Sequence, residues 1–123
     1  MTVTAGILER DGRVLIARRK PGRHMGRKWE FPGGKVEAGE TPEQSLRREL
    51  EEELDVRARI GDLLCRTTYE GDGVNLELLV YRVPQFDGSP ALRDHDELAW
   101  VLPGELRSFE LAGSDRKVVE MLF

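Results

Sequence analysis

Apolar and polar positions along the chain follow two periods, and the change from one to the other marks its elements. Thr2 to Leu8 and Arg13 to Arg19 are rich in strand-forming residues and flank Asp11-Gly12, a dipeptide that favours a tight turn, so the chain is expected to open with a β-hairpin. The pattern lapses from Lys20 to Lys35, where Pro21, Gly22, Gly26, Pro32, Gly33 and Gly34 mark a long loop, and long loops in compact domains tend to be functional. It resumes with helical spacing at Thr41-Pro42-Glu43-Gln44, which supplies a capping Thr, a Pro at the first helical position and a Gln three residues after the cap. The helix is predicted to run to about Leu54, with Leu46, Leu50 and Leu54 as one buried stripe. Strands are predicted at Val56 to Ile60, Leu63 to Tyr69, Val74 to Val83 and Leu98 to Leu102, with turns at Glu70 to Gly73 and Asp87 to Pro90. A short helix is expected at Pro103 to Arg107, and a last one at Ser114 to Leu122, capped by Ser114 or Asp115.

These elements make a mixed α/β domain with helices packed on a sheet. The length of 123 residues suits a single domain over the whole chain. Charged residues are 34% of the total and apolar ones 39%, yet the recurring apolar runs speak against disorder. A net charge of -4 argues against a protein that coats duplex nucleic acid, which requires a broad basic surface, but leaves room for a small anionic substrate. Cys65 is the only cysteine, so neither an intrachain disulfide nor a cysteine metal cluster is expected, and the thiol is read as buried. The sequence shows no signal peptide and no apolar run of membrane-spanning length, so the expectation is a cytoplasmic protein without a membrane partner.

The end of the first helix breaks the rules for a structural helix. Glu49, Glu51, Glu52 and Glu53, followed by Asp55, crowd like charges at a cost of about 0.2–0.5 kcal/mol per neighbouring pair. They also oppose the helix dipole. Arg47 and Arg48 offset only part of this. Glu49, Glu52 and Glu53, spaced i, i+3 and i+4, share one face, while Glu51 points elsewhere. Such a face is either solvated acidic surface or a site for a hard divalent cation such as magnesium, which takes few protein oxygens and shares the rest with water and phosphates.

Joined to the loop before it, the segment resembles a known motif. Gly34, Glu40 six positions later, Arg48-Glu49-Leu50-Glu51-Glu52-Glu53 and finally Leu54-Asp55-Val56 resemble the Nudix box, G-x5-E-x7-R-E-U-x-E-E-x-G-U with U apolar. The box spans residues 34 to 56, and the surrounding strand order also fits the family. One position departs: Asp55 stands where the pattern has a glycine that closes the helix in a left-handed conformation, which Asp tolerates better than most residues.

The resemblance implies the Nudix fold, a mixed sheet sandwiched between helices, and a Mg2+-dependent hydrolase for which Mn2+ can substitute. It makes Glu49, Glu52 and Glu53 the metal-binding and water-activating carboxylates, with the carbonyl of Gly33 as a further ligand and Glu40 and Arg48 as a supporting ion pair. Trp29 to Glu37 resembles the MutT and CTP pyrophosphohydrolase subgroup, which cleaves nucleoside triphosphates to monophosphate and pyrophosphate, in some members with 8-oxo-dGTP as substrate. By the same comparison Arg19, His24 and Lys35 are candidates for the phosphates. Phe31 and Trp29 are each either base-stacking or core, with core favoured for Trp29, and Asp115 is either a base reader or a helix cap. Among Asp94, Asp96 and Glu97, Glu97 is the candidate for an additional metal ligand. The Gly71 to Val74 loop lacks an arginine that some MutT enzymes place there. The implied partner is a small nucleotide, and the protein is expected to be a monomer or weak homodimer. ADP-ribose or a dinucleoside polyphosphate as substrate, or a non-catalytic nucleotide-binding module, are the alternatives.

Overall fold

A computed structural model describes all residues, 1–123. Strands β1 (Thr2–Arg10) and β2 (Arg13–Arg19) are joined by Asp11 and Gly12, both at positive φ (52° and 75°), as a tight hairpin turn requires. Their ladder is brief, comprising Glu9↔Val14 and Arg10↔Arg13. Beyond it the two strands part. The edge of β1 from Val3 to Ala5 is taken by β4 (Gly33–Lys35), while β2 pairs with β3 (Trp29–Glu30) and with β9 (His95–Val101). The other edge of β1 runs parallel to β7 (Val74–Val83), which pairs with β6 (Leu63–Gly71) through a tight turn at Asp72 and Gly73. The sheet therefore forks, and Glu30 to Gly33 cross the opening of the fork. A separate two-stranded ribbon pairs β5 (Arg57–Arg59) with β8 (Gln85–Asp87).

Both faces of the sheet are covered. Consecutive strand residues face opposite ways, so Ile7, Ile16 and Leu78 join one core cluster and Leu8, Leu15 and Leu79 the other. Helix α1 (Pro42–Leu54) closes the second cluster with Leu46, Leu50 and Leu54, all fully buried as the four-residue spacing predicts. Helix α2 (Gly113–Leu122) closes the first with Val118 and Val119, aided by Leu106 of a 3₁₀ helix at Pro103–Ser108. No helix is long and apolar enough to cross a membrane.

The start of α1 follows the expected chemistry: Gln44 N–H donates to the Thr41 hydroxyl (3.1 Å) and Thr41 N–H to the Gln44 side chain (2.9 Å). Other boundaries shift. The loop from Lys20 to Lys35 contains β3 and β4, strands too short to carry a side-chain alternation. Strand β8 was not expected, since Phe86 is its only apolar residue. Strand β9 starts at His95, three residues before the expected Leu98, because its polar beginning is held by backbone pairing to Arg18 and Arg19. Helix α2 begins at Gly113 with Ala112 as its cap residue, so neither Ser114 nor Asp115 caps it.

Asp55 ends α1 in the left-handed conformation (φ 59°, ψ 37°) and its side chain lies 3.1 Å from the Arg93 guanidinium on the surface. An exposed pair of this kind contributes little, whereas glycine takes the left-handed conformation without strain. Asp55→Gly should therefore raise unfolding free energy by about 0.5–1 kcal/mol in urea titration, a net of relieved backbone strain over lost chain entropy.

Candidate active site

Helix α1 is stitched to the loop before it by one arginine. Arg48 donates from Nε to Glu40 Oε2 (2.7 Å) and from Nη2 to Glu40 Oε1 (2.9 Å), and the guanidinium holds the Glu40 carboxyl below its ordinary range. Nη2 also donates to the Lys35 carbonyl (3.3 Å), and Nη1 to both Glu49 (2.8 Å) and Glu52 (3.3 Å). A shared donor thus brings Glu49 and Glu52 together, although Glu52 stays largely in solvent, with 58% of its side chain exposed.

Opposite this helix the chain carries two glycines: backbone leaves no room for a side chain at Gly33, and one at Gly34 would displace Glu49. A Cβ at Gly33 would lie 2.0 Å from the Thr4 carbonyl oxygen, and one at Gly34 would lie 2.4 Å from Cδ of Glu49. The Glu49 carboxyl therefore rests directly on the Gly34 backbone. Burial raises its pKa, an effect that Arg48 partly reverses.

Beside Glu49 a polar cleft of about 410 Å³ is lined by Gly33, Glu49, Glu53, Asp94 and His95, with Arg19, Arg23, His24 and Glu30 at its other side. Glu53 is its deepest acid, only 6% exposed, and its Oε1 is buried without a hydrogen-bond partner. Burial, followed by the nearby charges of Glu30, Glu49 and Asp94, pushes its pKa from the ordinary 4.5 up to about 9. An acid this short of compensating charge, with an oxygen left over and further carboxylates around it, fits a hard divalent cation. Of the expected ligands, Gly33, Glu49 and Glu53 line this cleft, whereas Glu52 lies outside it on the surface with Arg47, Arg48 and Glu51.

Glu30 and His95 complete this cluster and were not among the sequence candidates. Ligand atoms of Glu30, Glu53 and His95 all lie within 4.8 Å of one another. The signal for Glu30 was a carboxylate enclosed by Trp29, Phe31 and Pro32; His95, inside the charged run Arg93 to Glu97, gave none. Glu97, expected as an additional ligand, is not brought to the cleft. A bulge in β9 opposes Arg19 to His95 and Arg18 to Glu97, so the two β9 side chains face opposite ways and Glu97 lies 3.7 Å from Arg18.

A second cavity, of about 310 Å³, adjoins the cleft and shares Arg19, His24, Glu30 and Gly33 with it. Its walls include Val3, Ala5, Leu76, Leu78 and Phe31, with Lys35 also on its lining. Asp115 at one end is 5% exposed, has its pKa raised by burial, and accepts the Phe31 N–H at 2.9 Å. Phe31 serves both cavity and core, where it stacks on Phe123 at 6.2 Å. Trp29 is core, edge-on to Phe109 at 5.3 Å. Arg19 is not free, since its Nε and Nη2 hold Glu30 at 2.8 and 2.7 Å.

Two predictions follow from this arrangement. Between pH 4.5 and about 9 the unfolded chain has lost the Glu53 proton that the fold retains, so stability falls as pH rises through that window. In chelator, the melting temperature should drop across it, and a bound divalent cation or Glu53→Gln should flatten the slope. Gly34→Ala should displace the Glu49 carboxyl, weakening divalent-cation binding in calorimetry while leaving the circular dichroism spectrum unchanged.

A family model for the NUDIX domain matches residues 1–122. The CTP pyrophosphohydrolase of Escherichia coli is 38% identical over 118 residues, covering 96% of this chain and 87% of that protein. The 8-oxo-dGTP diphosphatase of Haemophilus influenzae is 36% identical over 121 residues, covering 98% and 89%. The crystal structure of a MutT NUDIX hydrolase from Burkholderia pseudomallei matches with a TM-score of 0.87 at 30% identity, covering 99% of this chain and 97% of that one. With its acidic helix laid on a glycine strand across a forked mixed sheet, the chain belongs to the Nudix hydrolase family and has the fold of its MutT members.

Proposed function

We propose that this protein is a magnesium-dependent nucleoside triphosphate pyrophosphohydrolase acting on oxidised purine nucleotides such as 8-oxo-dGTP, on cytosine nucleotides, or on both. The observation that carries the reading is the junction of a carboxylate-lined cleft with an apolar cavity that ends on a buried acid. A triphosphate and a nucleobase need two such compartments, one for each end of the molecule. The CTP pyrophosphohydrolase and 8-oxo-dGTP diphosphatase similarities support the choice of substrates.

In this reading Glu49, Glu52 and Glu53, with the Gly33 carbonyl, would hold the cation, and Mn2+ could take the place of Mg2+. When bound, the ion would offset phosphate charge and make a water more acidic. Glu40 and Arg48 keep the helix registered on the loop. Lys35 and His24, on the cavity lining, are available to the phosphates, and Arg19 acts from its pair with Glu30. Water adds to phosphorus, the bridging P–O bond breaks, and the products are a nucleoside monophosphate and pyrophosphate. Glu49 or Glu53 accepts the proton of the attacking water. Phe31 supplies an apolar face to the base. The Asp115 carboxyl accepts from the amino group of cytosine, or from the ring N–H and amino group of a guanine-type base. The protein acts as a monomer or weak homodimer on a free nucleotide, in the cytoplasm.

Pyrophosphate release should be measured with Mg2+ across dCTP, CTP, 5-methyl-dCTP, dGTP, 8-oxo-dGTP, ADP-ribose and diadenosine tetraphosphate. Turnover of 8-oxo-dGTP or a cytosine nucleotide is expected, and turnover confined to the last two compounds would overturn the subgroup. Glu52→Gln and Glu53→Gln should each lower kcat by about two orders of magnitude or more with the fold intact, because they remove charge from the metal site rather than packing from the core.

A further inference from the structure

One side chain stands between the two compartments and touches the machinery of both. Glu30 Oε1 accepts from Nε (2.8 Å) and Nη2 (2.7 Å) of Arg19. Glu30 Oε2 lies 2.7 Å from Nε2 of His95. In the tautomer that carries its proton on Nε2, His95 donates to Glu30. The same Nε2 stands 3.5 Å from Oε2 of Glu53. His95 is 4% exposed and Glu53 6%, so this part of the chain of contacts is shielded from bulk water.

The backbone holds Glu30 in place from behind. Trp29 N–H donates to the Glu110 carbonyl (2.8 Å) and Ala112 N–H to the Trp29 carbonyl (2.9 Å). On the other side Phe31 N–H donates to Asp115. Glu30 thus projects from a segment anchored on both sides at the start of α2. At the far end of the chain of contacts, Arg19 Nη1 donates to the His24 carbonyl at 3.0 Å and ties down the loop at the cavity rim.

A histidine kept only to fill space would be a poor choice at position 95. Its Nδ1 is buried without a partner, which costs free energy that an apolar ring of similar size would not incur. What an apolar ring lacks is the Nε2 contact.

We propose that Glu30 and His95 are positioning residues: His95 fixes the carboxylate of Glu53 in the cleft, and Glu30, gripped by Arg19, fixes His95. One chain of contacts, Arg19 to Glu30 to His95 to Glu53, then sets the loop at the nucleotide cavity and the metal-holding glutamate together. The proposal rests on the reading of the cleft as a cation site given above. Groups that orient a metal ligand in this way are typically worth about 10- to 100-fold in metal affinity or activity.

The test combines calorimetric titration of Mn2+ into the nucleotide-free protein with steady-state kinetics on the best triphosphate found above, for the wild type, His95→Phe, His95→Gln and Glu30→Gln. His95→Phe keeps a ring and loses the donor; it should weaken Mn2+ binding and lower kcat by about 10- to 100-fold, with KM for the nucleotide nearly unchanged. His95→Gln offers an amide N–H near the position of Nε2 and should recover most of both losses. A folded His95→Phe with wild-type Mn2+ affinity and kcat would overturn the proposal, as would a His95→Gln as impaired as His95→Phe. Should His95→Phe not fold, Glu30→Gln decides, with unchanged Mn2+ affinity and kcat as the contrary result. If the wild type releases no pyrophosphate from any triphosphate, the functional reading fails, and the Mn2+ titration alone decides the positioning role.

Discussion

A strand that begins with two glycines lies against a helix end rich in carboxylates, and the rest of the site is arranged around that contact. Gly33 and Gly34 let the β4 backbone approach both β1 and Glu49 more closely than any Cβ would permit. The contact brings a backbone carbonyl and several carboxylates to one cleft, a combination that a helix alone does not provide. Its geometry depends on β1 giving up its pairing with β2 after two residue pairs, because only then is the edge from Val3 to Ala5 open to β4.

The arrangement places acids in unfavourable surroundings, and the structure shows how this is tolerated. Arg48 offsets the outer acids, being hydrogen-bonded to Glu40, Glu49 and Glu52 at once. It does not reach Glu53, whose pKa is displaced furthest among the helix acids and whose Oε1 is left unsatisfied. The fold thus neutralises the charges that attach the helix to the loop and leaves uncompensated the one at the bottom of the cleft. Such a distribution is expected where stability has been given up for chemistry.

Much of this was legible in the sequence, and the reasons differ from one feature to the next. The α1 stripe, its capping box and the left-handed Asp55 were readable because they are local, with each signal and its consequence a few residues apart. The acidic face was readable because it violated helix electrostatics, and the box spacing made it specific. Strands β3, β4 and β8 were not readable, since they are defined by backbone partners distant in sequence. His95 was hidden for the same reason: only the bulge opposite Arg18 and Arg19 turns it into the cleft and turns Glu97 out. Asp115 was correctly noticed near the start of α2, but it does not cap the helix; its partner is Phe31, 84 residues away.

That last contact bears on how a base can be read. Asp115 already gives one oxygen to the Phe31 amide, so the carboxylate is held in a fixed orientation before any ligand arrives, and less of its capacity remains for a substrate. A single fixed acceptor recognises an amino group but discriminates poorly between bases that both carry one. Finer discrimination then falls to the shape of the apolar walls, to which Leu76 and Leu78 of β7 and Phe31 contribute. Phe31 is simultaneously a wall, a core residue and the donor that orients Asp115, and it follows directly on Glu30. In the proposed function, base reading and the setting of the cleft then fall to adjacent residues of one pinned segment, and a change in the packing beneath that segment would alter both.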